Sequence, residues 1–200
     1  MSKLDVNKKQ KKDALLNAAF QLFLANGLTK TTISDIVDAA GVAKGTFYLY
    51  FEDKYDIRNK LISHKAGQLF TAAYSAVQEK GNLVFDERII FIVDYIVDEL
   101  TKDKPLLKFL SKNLSWGVFK TALIAPPKEE EEVNFYEVYL KMIENSGHEI
   151  LEPEIMLFLI IELVESSIYS SILENEPVSI EKLKPHLYDT IRYILKSHRK

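Results

Sequence analysis

TTISDIVDAAGVAKGTFYLYFEDKYDI, residues 31–57, holds two short apolar-periodic runs with a single glycine between them. In the first run Ile33, Ile36, Val37 and Ala40 fall on one helical face, and Thr32 and Asp35 have the spacing of a capping box. Gly41 permits a sharp turn, after which residues 43–50 are expected to form a second short helix. Val42 can plug the turn, and Phe47 with Phe51 can anchor the second helix. A compact helix, a glycine turn and a second short helix make a helix-turn-helix. Lys44, Gly45, Thr46, Tyr48 and Tyr50 are then left for a major groove. An ammonium, hydroxyls and aromatic tips can meet phosphates or base edges, and glycine lets the backbone approach closely.

Upstream, Leu15, Ala19, Leu22 and Phe23 recur at helical spacing, which predicts a first helix over 7–26 ended by Gly27. Downstream, Asp53 can cap a fourth helix through about residue 79, with Asp56 at its third position. Asp86 is expected to cap a helix through about 101, and Pro105 suits the first turn of another through about 120. Ala125, Pro126 and Pro127 break the chain before a solvated acidic connection over 128–132. Further helices are expected over 133–145, 153–173 and 179–197, the last kinked at Pro185 or regular only from about 184. Nothing with strand period competes. The fold class is all-α with about nine helices, divided into 1–53 and 54–200.

The composition, 47% apolar and 28% charged, is globular and not disordered. Without cysteine there are no disulfides, thiolate metal sites or cysteine nucleophiles. The start of the chain, MSKLDVNKKQKKD, has no signal-peptide core, and the most apolar stretch, 155–164, contains Glu162 and is read as too short for a bilayer. The expectation is a cytoplasmic protein with no membrane partner. The net charge of −3 argues against nucleic acid only until it is divided. Residues 1–60 hold ten Lys/Arg against seven Asp/Glu, and the remainder sixteen against twenty-two. Phosphate attraction depends on the local face, so an acidic remainder does not exclude DNA. Lys8, Lys9, Lys11 and Lys12 are open to two readings, a solvated face or an arm toward the phosphate backbone.

The run Gly41-Val42-Ala43-Lys44-Gly45-Thr46-Phe47-Tyr48-Leu49-Tyr50-Phe51, followed by Lys54, resembles the signature of the TetR/AcrR family of bacterial repressors over roughly residues 10–60. The resemblance implies a homodimer whose paired third helices enter successive major grooves of a near-palindromic double-stranded operator. It also implies an N-terminal three-helix DNA-binding domain and a C-terminal effector-binding and dimerisation domain. Carried over by position, it places Thr32 and Ser34 at the start of the second helix. Lys44, Gly45, Thr46, Tyr48, Leu49 and Tyr50 fall on or beside the recognition helix, and Lys54 at a phosphate-gripping position. Ala43 stands where the family often has a capping Ser, and Ser34 and Leu49 where Arg and His are common.

The apolar helix over 153–173 must be covered on two sides. The resemblance implies that it and the terminal helix form an intersubunit four-helix bundle. Large aromatics crowd the central helices, and Tyr95, Phe109, Trp116, Phe119, Tyr136 and Tyr139 are candidates to line a small-molecule effector pocket. Glu162 joins them, facing either that pocket, for a cationic or hydrogen-bonding ligand, or a dimer partner. No cofactor is implied. His64, His148, His186 and His198 are scattered, and no nucleophile motif, metal spacing or phosphate-cradling loop argues for an enzyme. The reading is a repressor released from its operator by a small molecule, with an effector-free regulator or activator as the alternative.

Overall fold

The computed structural model describes residues 3–113 and 134–200. Among the described residues there are nine helices and no strand beyond an isolated bridge between Ile150 and Arg199. The chain divides into two compact units, Met1–His64 and Lys65–Lys200.

In the first unit, α1 (Lys3–Lys30) runs four residues ahead of the expected start and is interrupted at Gly27, where φ is +76°. Thr31 closes this end: its buried hydroxyl donates to the Gly27 carbonyl at 2.9 Å. Helix α2 (Ile33–Ala40) starts on the expected capping box. The Asp35 amide donates to the Thr32 hydroxyl at 3.1 Å, and the Thr32 amide donates to the Asp35 carboxylate at 2.8 Å. Gly41, at φ +66°, ends it in the left-handed conformation that other residues adopt at a cost. Helix α3 (Lys44–Tyr48) is shorter than expected and begins at Ala43 with no side-chain cap. Leu15, Leu16, Ala19 and Phe23 of α1 are buried with Ile36, Val37, Phe47 and Phe51 as this unit's core.

Helix α4 (Lys54–Gln78) opens on Asp53, whose carboxylate accepts from the Tyr55 and Asp56 amides at 2.8 Å each. The sequence put the domain boundary at the start of this helix, whereas the units divide within it, between His64 and Lys65. The physical reason lies in its first two turns. Lys54 and Lys60 hydrogen-bond back to carbonyls of residues 28–31 and 50, so these turns belong with the helix-turn-helix.

The second unit holds the rest of α4 with α5 (Phe85–Lys102), α6 (Lys104–Asn113), α7 (Phe135–Ser146), α8 (Pro153–Leu173) and α9 (Ile180–Ser197). Asp86 does not cap α5. That position falls to Val84, and Asp86 is drawn into an ion pair with Arg199. Asp103 caps α6 instead, accepting from the Leu106 amide at 2.9 Å. Asn134 caps α7 and Gly147 ends it as expected. Pro185 lies inside α9, which stays helical from Ile180. Lys184 holds α9 to α5 by donating to Asp94 at 2.6 Å and to Asp98, while the Tyr188 hydroxyl donates to Asp94. Helix α8 packs on α9, α6 and α5. At 21 residues the whole helix is long and apolar enough to cross a bilayer by length and composition, a test that a core helix also passes, whereas the apolar stretch 155–164 within it is shorter.

Candidate nucleic-acid interface and effector cavity

The geometry of the helix-turn-helix separates buried anchors from exposed tips. Phe47 and Phe51 are fully buried with ring centroids 5.4 Å apart, so α3 has one side fixed in the core. One residue on, Tyr48 is 54% exposed, and Leu49 is 78% exposed. Lys44, Gly45, Thr32 and Ser34 are exposed too, whereas Thr46 and Tyr50 are half-buried. All the expected DNA-contact residues, the half-buried Lys54 included, therefore present some surface while their neighbours pack. The exposed Tyr48 and Leu49 thus sit directly beside the buried anchors of the same short segment. Gly45 belongs to that segment too. A Cβ added there would meet nothing within 4 Å, and its backbone needs no special φ, so the fold itself does not demand glycine.

Lys54 departs from the phosphate-gripping expectation. Its ammonium donates to the carbonyls of Leu28, Thr29 and Thr31 at 3.0, 3.2 and 3.2 Å, which uses all three of its donors. It stitches the end of α1 to the start of α4 and so positions the helix-turn-helix. Lys60, not singled out from sequence, does similar work at the other end. It donates to the Tyr50 carbonyl at 3.0 Å and to Asp56 at 2.8 Å, and its ammonium lies over the Phe51 ring. The signal was present in the sequence as an Asp56–Lys60 pair at i,i+4.

Residues 15–61 match the TetR family of bacterial regulatory proteins. The match is confined to this helix-turn-helix segment. The HTH-type transcriptional regulator YvdT of Bacillus subtilis is 43% identical over 89 residues, 44% of this chain and 43% of that protein. The fatty acid metabolism regulator protein of the same organism is 37% identical over 74 residues, 37% of this chain and 38% of that protein. The chain thus matches less than half the length of these curated relatives. Over most of the chain the fold is that of the fatty acid degradation regulator FadR from Bacillus halodurans, with a TM-score of 0.65 at 18% identity, covering 90% of this chain and 96% of that one. The transcriptional regulator FadR from Bacillus subtilis, solved in complex with stearoyl-CoA, superposes with a TM-score of 0.60 at 19% identity, covering 89% and 96%. The architecture shared with these structures is an N-terminal helix-turn-helix followed by a C-terminal helical unit.

Within the second unit lies a cavity of about 110 Å³, walled mainly by aliphatic side chains of α4, α5, α6 and α8, with Phe70 and Phe135. None of the described residues expected to hold an effector lines it. Tyr139 is fully buried, its hydroxyl donating to the Pro153 carbonyl at 2.8 Å, and Phe109 is buried in the core. Tyr95, Tyr136 and Glu162 do not line the cavity, and Trp116 and Phe119 lie outside the described residues. Glu165 is among the lining residues, though the surface the cavity offers is apolar. Leu157, Ile160, Ile161, Val164, Glu165 and Ile168 form one stripe at i, i+3, i+4, i+7, i+8 and i+11, and position 162 falls off it. Reading α8 by its period would have found Glu165. Burial, reinforced by the nearby Glu162 charge, pushes the Glu165 carboxyl up to about 7.

Proposed function

We propose that this TetR-family chain is a homodimeric transcriptional repressor that binds a near-palindromic operator through α3 and leaves it when a small apolar molecule fills the cavity of the second unit. The observation that carries the DNA half is the juxtaposition of buried Phe47 and Phe51 with exposed Lys44, Tyr48 and Leu49 on one short helix. Thr32, Ser34, Gly45, Thr46 and Tyr50 complete the proposed contact surface, and Lys54 sets its position. Repression is supported by relatives named as repressors, such as the probable acrEF/envCD operon repressor of Escherichia coli, 40% identical over 47 residues.

The effector half rests on the cavity and on a structural neighbour solved with an acyl-CoA. Coupling is assigned to α4. Its first turns are tied into the reading head by Lys54 and Lys60, and its later turns place Ala66, Leu69 and Phe70 at the cavity wall. A ligand that prefers one tilt of this helix shifts the population away from the DNA-competent state by its differential affinity and no more.

The test is operator selection from random duplex by the purified protein, repeated with Tyr48→Ala and Lys44→Ala. The reading predicts an enriched palindrome for the wild type and at least ten-fold weaker binding by each variant. It also predicts a salt slope lowered by about one for Lys44→Ala, as the loss of one phosphate contact requires. Equal binding by all three proteins would remove the helix-turn-helix from the mechanism.

A further inference from the structure

We infer that a second hollow of the C-terminal unit, separate from the apolar cavity, binds an organic carboxylate with an apolar body. It is a cleft of about 580 Å³ bounded by the start of α5, the end of α7 and Arg199. That volume falls in the range of roughly 300–1,000 Å³ that small-molecule sites occupy. Unlike the apolar cavity, it offers polar and apolar surface in equal measure. Leu83, Val84, Phe85 and Met142 supply the apolar part, and the charges come from Arg88, Arg199 and Asp86. The exposed imidazole of His148 adds a further donor. The inference concerns a different place from the effector cavity and does not rest on the effector reading.

Local structure explains why two guanidinium groups stand there. The Leu151 amide donates to the His198 carbonyl at 2.7 Å, and the Lys200 amide to the Glu149 carbonyl at 3.1 Å. This bridge holds Arg199 beside Ile150, just beyond α7, and its ion pair with Asp86 ties it to α5. Asp86 is thereby neutralised. The Arg199 Nε is left buried without an acceptor, a deficit that favours a ligand bringing an oxygen within its reach. Arg88 is held by one bond, from its Nε to the Leu83 carbonyl at 2.8 Å. Both its terminal nitrogens are without a partner among the described residues. A guanidinium fixed at Nε with its other donors open matches a carboxylate, which accepts two parallel bonds. Neighbouring charges are spent in pairs, Glu87 with Arg192 at 3.5 Å and Glu149 with Lys200 at 2.5 Å. One positive charge, on Arg88, is therefore in excess, which suits a monoanion better than a phosphate dianion. Val84, 69% exposed, gives a hydrocarbon body apolar surface to cover.

The experiment is calorimetric titration of the full chain, free of DNA, at neutral pH with 2-naphthoate, its uncharged counterpart 2-naphthol, acetate and inorganic phosphate. The apolar cavity, at about 110 Å³, is smaller than the roughly 150 Å³ that takes up benzene, so a naphthalene body separates the two sites by size. The inference predicts that 2-naphthoate binds at least ten-fold more tightly than each of the other three probes. Arg88→Gln is expected to weaken it at least ten-fold. Because Arg88 also ties down Leu83, Val84→Glu serves as a second variant. That position is exposed, so the fold is expected to persist while the added like charge repels the ligand to a similar degree. Thermal melting checks both variants, and Val84→Glu decides if Arg88→Gln does not fold. Amide proton–nitrogen spectra should shift at residues 82–88 and 145–148, and not at 157–168 along the apolar cavity. The inference is overturned by no binding of 2-naphthoate, by 2-naphthol or phosphate binding as tightly, by affinity that survives in a folded variant, or by shifts confined to 157–168. No measurement involves operator, so either result leaves the release mechanism to its own test.

Discussion

A Cβ added at Gly45 would meet no neighbour within 4 Å, so Gly45→Ala separates folding from recognition. Alanine is the better helix former, by up to about 1 kcal/mol in a helix interior, and Gly45 lies in α3. The variant is therefore expected to melt at the same temperature or slightly higher, yet to bind operator more weakly, because the added methyl stands where the DNA backbone would approach. Thermal melting together with operator affinity checks this. A variant that keeps full affinity would remove close approach as the reason for the glycine. Glu165 gives a second residue-scale expectation, of opposite character. Burial pushes its carboxyl up to about 7 in the folded chain, above the ordinary 4.5, so between those values the folded state holds the extra proton. Stability must then fall as pH rises through that window, and the loss is complete above about 7. Glu165→Gln should flatten this slope. Urea unfolding of both proteins from pH 5 to 8 measures it, and parallel curves would refute it.

Short elements show what a sequence discloses and what it leaves to packing. The α2 boundaries were legible because they depend on local chemistry: Thr32 with Asp35 at one end and Gly41 at the other. The α8 span was legible for the same reason, with Pro153 opening it and polar residues closing it. Asp86 was misread because a capping residue is judged by its own neighbours. Its actual partner, Arg199, lies more than a hundred positions away. The cavity was misread likewise. Aromatic content suggested Tyr95, Tyr136 and Tyr139, but the tertiary arrangement sends Tyr139 to the Pro153 carbonyl and builds the wall from aliphatics. The split of the helix-turn-helix into buried anchors and exposed tips was more legible, since the two alternate within one turn and need no distant partner. Helix α3 also shows an omission that can be repaired. Ala43 sits at its N-cap with extended dihedrals, φ −70° and ψ 149°, and offers no side-chain acceptor. Ala43→Ser should supply one and stabilise the protein by about 0.5–1 kcal/mol. Equilibrium unfolding would register the gain, and a midpoint unchanged within error would mean that the N-terminal amides of α3 are already satisfied.

At the scale of the whole molecule, the exposed apolar surface of the second unit argues for a second copy of the chain. Ile155 and Leu159, four residues apart on α8, remain 46% and 40% exposed, and on α9 Tyr193 is 73% exposed. Two helices packed on one another, each leaving large apolar groups in water, present a pair of faces that a symmetric partner can cover as a four-helix bundle. The proposed recognition of a palindromic operator depends on such a pairing. One helix-turn-helix makes too few contacts for tight specific binding, whereas two linked half-site contacts reinforce each other through effective concentration. Leu159→Arg places a charge in the middle of that face while leaving the buried stripe of Leu157, Ile160, Ile161 and Ile168 untouched. The expected result is a helical, folded chain by circular dichroism that sediments as a monomer and binds operator at least a hundred-fold more weakly than the wild type. A Leu159→Arg protein that sediments as a dimer would move the interface elsewhere. A monomer that bound operator as tightly as the wild type would show that paired recognition helices are not what gives this chain its hold on DNA.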